Sequence, residues 1–323
     1  MPQLFSLEER LQYLKQHGSH SLAYSTLQPR MRYFDLPGIG YLGYMQYCGT
    51  RYVLSDPIAS KKGNEREELV RAALKEHPAT CFVQTYEPFG RMLQDKFGFY
   101  NTQMGIETWI NLSDWNLKGE KRQILRTARN QAVKNGINIT ESPSKKGGKD
   151  ISEQWFKSRK VKSREVVFLI RPMDMDYEQG VRRFYGFDEK NPKGFVYFDP
   201  IYDSGNVQGY LPNIARSIGD VKQGVYYAIM VEAIERFRKE GVKKVSMGLS
   251  PFSFRQDTPI NPSVLMERAF RFMFEKCNFM YNYKGLEFSK SRFEGERVPV
   301  YLSHRTKFPA IEVASIFKIA RVI

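Results

Sequence analysis

With 323 residues, 41% of them hydrophobic and 14% aromatic, the chain has enough apolar area for one large core or two medium ones, which excludes a disordered protein. Fifty Lys and Arg against 35 Asp and Glu give +15, and so large an excess points to a polyanionic partner such as nucleic acid or an anionic lipid surface. Cys48, Cys81 and Cys277 form no CxxC, the four His lack metal-ligand spacing, and no run nears the ~18 apolar residues of a spanning helix, so a cytoplasmic protein without disulfides or metal is expected.

Ser6 and Glu9 form a capping-box pattern that opens a helix closing at Gly18. GYLGYMQYCG and TRYVLSDPIA read as strands, NEREELVRAALKE as an amphipathic helix, and TCFVQTY as a buried strand. A short helix, PFGRMLQDKFG, leads into the strand FYNTQMGIETWINL. Next comes KGEKRQILRTARNQAVKNG (118–136), with six Lys or Arg against one Glu. Lys118, Arg122, Arg126 and Arg129 step by four, four and three and share a helical face with Lys121 close by. Taken alone, such a stripe is a solvated face. From Lys118 to Arg164, however, fourteen basic residues meet four acidic ones, a net +10, so two thirds of the chain's excess charge lies in this region.

ESPSKKGGKD (141–150) has no apolar period and reads as a flexible loop. MDMDYEQG (173–180) alternates acids but has neither a glycine nor a closing glutamate at the offsets a calcium loop requires. KGFVYFDPIYDSGNVQGYL is a hairpin turning at Asp203–Asn206, followed by a helix ending at Gly241 and the strand VKKVSMGL. A further helix, PSVLMERAFRFMFEKC, precedes the strand RVPVYLSH. The tail helix IEVASIFKIARVI sets Glu312, Ser315, Lys318 and Arg321 on one polar stripe, with its remaining faces free to pack on the core or touch a membrane.

The same strand and helix succession occurs twice, which predicts two similar α/β units, 1–117 and 118–323. This order suits tandem GNAT-like acyltransferase folds, with mixed central sheets flanked by helices. Around Gly224 the acetyl-CoA signature is absent, since Val221 and Tyr226 stand at its arginine and small-residue positions, and the acyl donor is expected to be something other than CoA.

LKGEKRQILRTARNQAVKNG resembles the linker helix of the cytosolic domain of the lysyl-phosphatidylglycerol synthases, the multiple peptide resistance factor family. DPIA, KFGFYNTQMGIETWINL, GVYYAIMVEAIERFRKEGVKKVSMGLSPFS and FSKSRFEGERVPVYLS are similar to further strings of that family in the same order, from about Arg51 to Leu302. The resemblance implies transfer of an amino acid from aminoacyl-tRNA onto a lipid head group or a small hydroxyl or amine acceptor. It implies no bound cofactor; the alternatives are a CoA-dependent N-acyltransferase on the same fold, with acyl-CoA as donor, and a non-catalytic RNA- or membrane-binding homologue. Its partners would be tRNA and an anionic membrane surface at the inner face. Lys290, Arg292, Pro299 and Tyr301 match the family's ending motif, while Arg297 and Val300 replace its tryptophan and arginine. Arg216 is kept, but Asn213 and Tyr227 stand where the family carries acidic residues.

Candidate catalytic residues are therefore Lys290 and Arg292, expected to share a face of an extended stretch, with Tyr301 as a proton donor and Ser246 at a strand end. Candidate substrate contacts are Arg216, which could instead pair with Asp220, together with Asn213, Tyr227 and Glu232. The basic face of Lys118, Lys121, Arg122, Arg126 and Arg129 is the candidate tRNA grip. For Ser246, Tyr227, Tyr301 and Glu232 the plainer alternative is a purely structural side chain.

Overall fold

The computed structural model describes residues 4–158, 165–175, 177–189, 191–218, 222–254, 262–276 and 282–322. The chain begins with α1 (Leu7–His17), a 3-10 turn (Tyr24–Leu27), β1 (Arg32–Leu36), β2 (Gly40–Tyr47), β3 (Thr50–Leu54) and β4 (Ile58–Ala59). It continues through α2 (Glu65–Glu76), β5 (Thr80–Tyr86), α3 (Glu87–Phe97) and β6 (Tyr100–Asn111). After these come α4 (Gln123–Lys134), β7 (Ile137–Glu141), α5 (Lys146–Ser158), β8 (Arg182–Asp188), β9 (Asn191–Asp203) and β10 (Asn206–Ser217). The last elements are α6 (Lys222–Lys239), β11 (Lys244–Pro251), α7 (Val264–Lys276), α8 (Tyr283–Ser291), β12 (Glu296–His304) and α9 (Ala310–Ile319).

Local chemistry sets several of these boundaries. Ser6 and Glu9 form the expected reciprocal cap: Glu9 N–H donates to Ser6 Oγ at 3.1 Å and Ser6 N–H to Glu9 Oε2 at 2.7 Å. The hairpin of β9 and β10 turns through Ser204 and Gly205, both left-handed, as a two-residue turn between twisted strands requires. Helix α6 buries every residue from Val225 to Ile234 except the half-buried Tyr226 and Glu232, so it lies inside the molecule rather than on it. Leu125 and Ala128 of α4 belong to the same core.

The strands form one mixed sheet in the order β1-β2-β3-β5-β12-β6-β11-β10-β9-β8-β7, with β4 attached to β2. The expected α/β architecture, with a large mixed sheet flanked by helices, is thus what the chain adopts. The repeated unit is visible in the pairing. A hairpin, β2·β3, is followed by α2 and a parallel partner, β5; a second hairpin, β9·β10, is followed by α6 and a parallel partner, β11. The last strand, β12, inserts between β5 and β6, so the 117/118 division is crossed by one strand.

Two expectations are corrected. Within 141–150 only 142–145 form the expected loop; Glu141 ends β7 and 146–150 begin α5, because Ile151 and Ser152 beyond the Gly-Lys stretch are buried and anchor a helix. In α9, Ser315 is buried instead of facing water, while Ile311 is 74% exposed. The helix therefore rolls its predicted polar stripe partly inward.

Candidate active site

The site arises where two parallel strands part. β10 and β11 pair only at Gly209↔Lys244 and Tyr210↔Val245. Beyond that point β10 stays bonded to β9 as far as Ser217, and β11 to β6 as far as Pro251. Each strand is held by its outer neighbour, so a wedge opens between them. A cavity of 640 Å³ fills the wedge, with Leu211–Asn213 and Ala215–Ser217 on one wall and Met247–Leu249 on the other. Tyr226 and Tyr227 of α6, Leu286 to Lys290 of α8 excepting Glu287, and Val313, Ile316 and Phe317 of α9 also line it, and Leu22, Gln84 and Met104 reach it from the first half of the chain. Among the described residues that line it there is no carboxylate, and Arg216 and Lys290 are its two strong cations.

Lys290 lies in the last turn of α8, with its amine on the wedge, and Nζ donates to Leu249 O at 2.6 Å. Burial pulls its pKa from 10.5 to about 7, and the negative charge of Glu107 opposes that fall. Beside it Gly248 has a left-handed φ of +70°, which favours glycine, and an added Cβ would press on Leu211 Cδ1 at 3.2 Å. The same glycine lies in the register shift between Ser246↔Trp109 and Leu249↔Glu107, where β11 leaves regular pairing.

Glu107, in the middle of β6 and 2% exposed, was not singled out from the sequence. Its signal was a lone acid inside the long apolar strand MGIETWINL. The carboxylate accepts from Tyr86 OH at 2.7 Å and from Ser246 Oγ. Ser246 Oγ in turn accepts from Gly248 N–H at 2.9 Å. Burial and the neighbouring carboxylate hold the Tyr86 phenol well above its usual range, which keeps it a proton donor to Glu107.

Of the eight non-tRNA candidates, Lys290, Asn213, Arg216 and Tyr227 line the cavity. Asn213 Nδ2 donates to Asp199 Oδ2 at 2.6 Å and to Ser25 Oγ at 3.0 Å. Arg171, with no exposed surface, clamps Asp199 through Nε at 2.8 Å and Nη2 at 2.7 Å. Arg216 pairs with Glu165 and stacks over Trp155 at 5.3 Å and Phe156 at 4.8 Å. It lies within β10 rather than in a segment before the helix, and its alternative partner, Asp220, falls outside the described residues. Tyr227 is buried beside Tyr226 and Phe293.

The other candidates sit elsewhere. Lys290 and Arg292 do not share a strand face. Asn282 caps Gly285 N–H at 3.0 Å and starts a helix, on which residues two apart point in different directions. Arg292 stacks over the Phe288 ring at 4.2 Å instead. Ser246 is fully buried and serves Glu107 and Gly248. Tyr301 is packed in β12 between β5 and β6, and Glu232 pairs with Arg236 on α6.

In the basic segment, Lys118 and Lys121 are exposed, and Lys121 also reaches Glu294 at 3.6 Å. Arg122 pairs with Glu294 at 3.1 Å, Arg126 donates to Leu117 O and Gly119 O, and Arg129 meets Glu235 at 3.4 Å. Part of the stripe therefore pins α4 to its surroundings. Beside it lies a groove of 930 Å³ holding Arg122, Arg238, Lys243, Lys244 and Lys61 with Trp109 and Trp115. Lys244 Nζ stands 4.3 Å from the Trp109 ring centre, and Tyr86, the partner of Glu107, lines the same groove.

Residues 11–304 match the family described as phosphatidylglycerol lysyltransferase, C-terminal. The phosphatidylglycerol lysyltransferase of Bacillus subtilis is 25% identical over 306 residues, covering 91% of this chain and 34% of that protein. The chain thus spans about a third of the length of such relatives. The solved structure of L-PGS from Bacillus licheniformis superposes with a TM-score of 0.77 at 18% identity, covering 97% of this chain and 95% of the other. FemX gives 0.59 at 10% identity, covering 96% of this chain and 98% of its own. At these identities the two structures share the fold.

Proposed function

Because this chain belongs to the phosphatidylglycerol lysyltransferase C-terminal family, we propose that it is an aminoacyl-tRNA-dependent transferase acting on a phosphatidylglycerol-like head group, with the wedge cavity of the 118–323 unit as its centre. The observation that carries this reading is a near-neutral amine, Lys290, buried at the point where β10 and β11 part.

An aminoacyl ester is already activated, so the protein has to position two substrates and move one proton. The acceptor hydroxyl attacks the ester carbonyl while neutral Lys290 takes its proton. Backbone N–H groups of the opened strands hold the oxyanion. As the tetrahedral adduct collapses, the Lys290 ammonium returns the proton to the departing 3′-oxygen of the tRNA. Glu107 is a positioning residue that sets the charge balance of Lys290 and orients Ser246. Arg216 receives the lipid phosphate, with its guanidinium braced on Trp155 and Phe156.

The groove beside α4 offers cations and aromatic faces for the acceptor end of tRNA, and Lys118 and Lys121 extend that positive surface. The amino acid transferred is uncharged in its side chain. A lysyl ammonium would enter a largely apolar cavity that offers it, among the described lining residues, no carboxylate to pair with.

The test supplies tRNA charged with labelled amino acids, together with phosphatidylglycerol vesicles. Label is expected in the chloroform phase, abolished by prior RNase, and greater from neutral aminoacyl-tRNAs than from lysyl-tRNA. Label that stays on tRNA would overturn the reading, and preferential transfer of lysine would overturn the side-chain assignment.

A further inference from the structure

Large apolar side chains left in water are concentrated on α7, α8 and the start of α9. Val264, Leu265 and Phe272 of α7 are 58%, 59% and 60% exposed, Phe288 of α8 is 53% exposed, and Phe308 and Ile311 at the start of α9 are 46% and 74% exposed. Elsewhere among the described residues only Leu4, Leu7, Tyr47, Val133 and Ile170 are comparable, and Ile170 also lines the cavity. α7, α8 and α9 pack together around Phe252 through Phe270, Tyr283, Val313 and Phe317, so their outward surfaces belong to one structural unit. Phe288 lines the cavity while remaining half in water, so the exposed apolar surface runs into the site.

The outward face of α7 is mixed in a specific way. Residues 264, 265, 268, 271, 272, 275 and 276 fall within one helical stripe and are all exposed. Three are large and apolar, three are basic (Arg268, Arg271, Lys276), and one is acidic, Glu275. A monomer seldom exposes contiguous apolar surface without use, and apolar anchors interleaved with Arg and Lys match a bilayer interface with anionic head groups. On a protein partner the same guanidinium groups would need carboxylates at fixed positions, whereas lipid head groups supply laterally mobile phosphates.

We propose that the α7 face, with the start of α9, is the surface by which this protein docks on an anionic lipid bilayer, bringing the mouth of the cavity onto the membrane. The proposal deepens the lipid-acceptor reading and rests on it for the use made of docking. Docking is peripheral: among the described residues no helix is long and apolar enough to cross a membrane. Attraction to the anionic surface supplies the first contact, and Leu265, Phe272 and Ile311 enter the head-group layer.

The full chain is tested by co-sedimentation with phosphatidylcholine vesicles and with phosphatidylcholine–phosphatidylglycerol vesicles, at low and high salt. Binding is expected to the anionic vesicles alone and to fall with salt. Arg268→Gln with Arg271→Gln should weaken it by at least tenfold, as should Phe272→Ser with Ile311→Ser, with thermal unfolding unchanged. Transfer to a short-chain phosphatidylglycerol dissolved as monomers separates docking from chemistry: the docking variants should keep that transfer and lose transfer to vesicles. If the wild type transfers to neither acceptor, the proposed reaction fails and the sedimentation result alone decides docking. Equal binding by wild type and variants overturns the proposal. So does a wild-type dimer that the Phe272→Ser variant dissociates, because the face then meets a second copy of the chain.

Discussion

Lys290→Met is expected to lower aminoacyl transfer by about 10²–10⁴-fold, the range for losing a positioned proton-transfer group, while the protein remains folded. The two halves of this expectation have one cause. The amine is 8% exposed at the residue level, donates to Leu249 O, and has no carboxylate beside it on the cavity wall, so its charged form is costly. Methionine fills similar volume without a buried charge. The folded pKa of about 7 lies below the lysine value of 10.5, so the folded state binds fewer protons between those pH values. The cost of keeping Lys290 is therefore full below about pH 7 and fades as the pH rises towards 10.5. Unfolding of the variant should show it as stable as the wild type or more so at pH 7, with the difference shrinking towards pH 10. A variant that unfolds more readily at pH 7 would make Lys290 structural.

Arg171→Met should have the opposite profile, a loss of stability of roughly 3–5 kcal/mol, as expected when one partner of a buried ion pair is removed. Arg171 and Asp199 have no exposed surface, and the guanidinium is the only cation bonded to Asp199 among the described residues. Glu178 keeps Arg183 and Lys145 when Arg171 is lost, so the exposed debt falls on Asp199. Asn213 shares that carboxylate, and its cavity-facing position should loosen with it. Urea unfolding measures the loss. Adding Asp199→Leu should recover much of it, because an apolar pair need not be desolvated at such expense. If the double variant is no better than the single one, the pair is not what Arg171 supports.

Much of this was readable from residue patterns, for reasons that also explain the failures. Ser6, Glu9, Gly98 and the Ser204-Gly205 turn act on their own backbone neighbours, so local sequence set the element ends. Asn213, Arg216, Tyr227 and Lys290 were found as separate strings, and the wedge between β10 and β11 brings them together. Arg292 was misplaced because a run of alternating charges looks like a strand, whereas the cap at Asn282 decides for helix. Glu107 was missed because its importance depends on three long-range neighbours. Tyr86 is 21 residues away, Ser246 is 139 away, and Lys290 lies on α8, far along the chain from strand β6. No periodicity encodes that meeting. The insertion of β12 between β5 and β6 was hidden for the same reason, since pairing across the halves leaves no mark in either strand alone.

The pH dependence of single-turnover transfer, in the wild type and in Glu107→Gln, tests the assignment of Lys290 most directly. As a base held near neutrality, Lys290 should give a rate that rises with pH through about 7 and then levels. The carboxylate of Glu107 favours the protonated amine, so replacing it should move the rising limb to lower pH. A wild-type rate flat across this range, or a limb that Glu107→Gln leaves in place, would contradict the account.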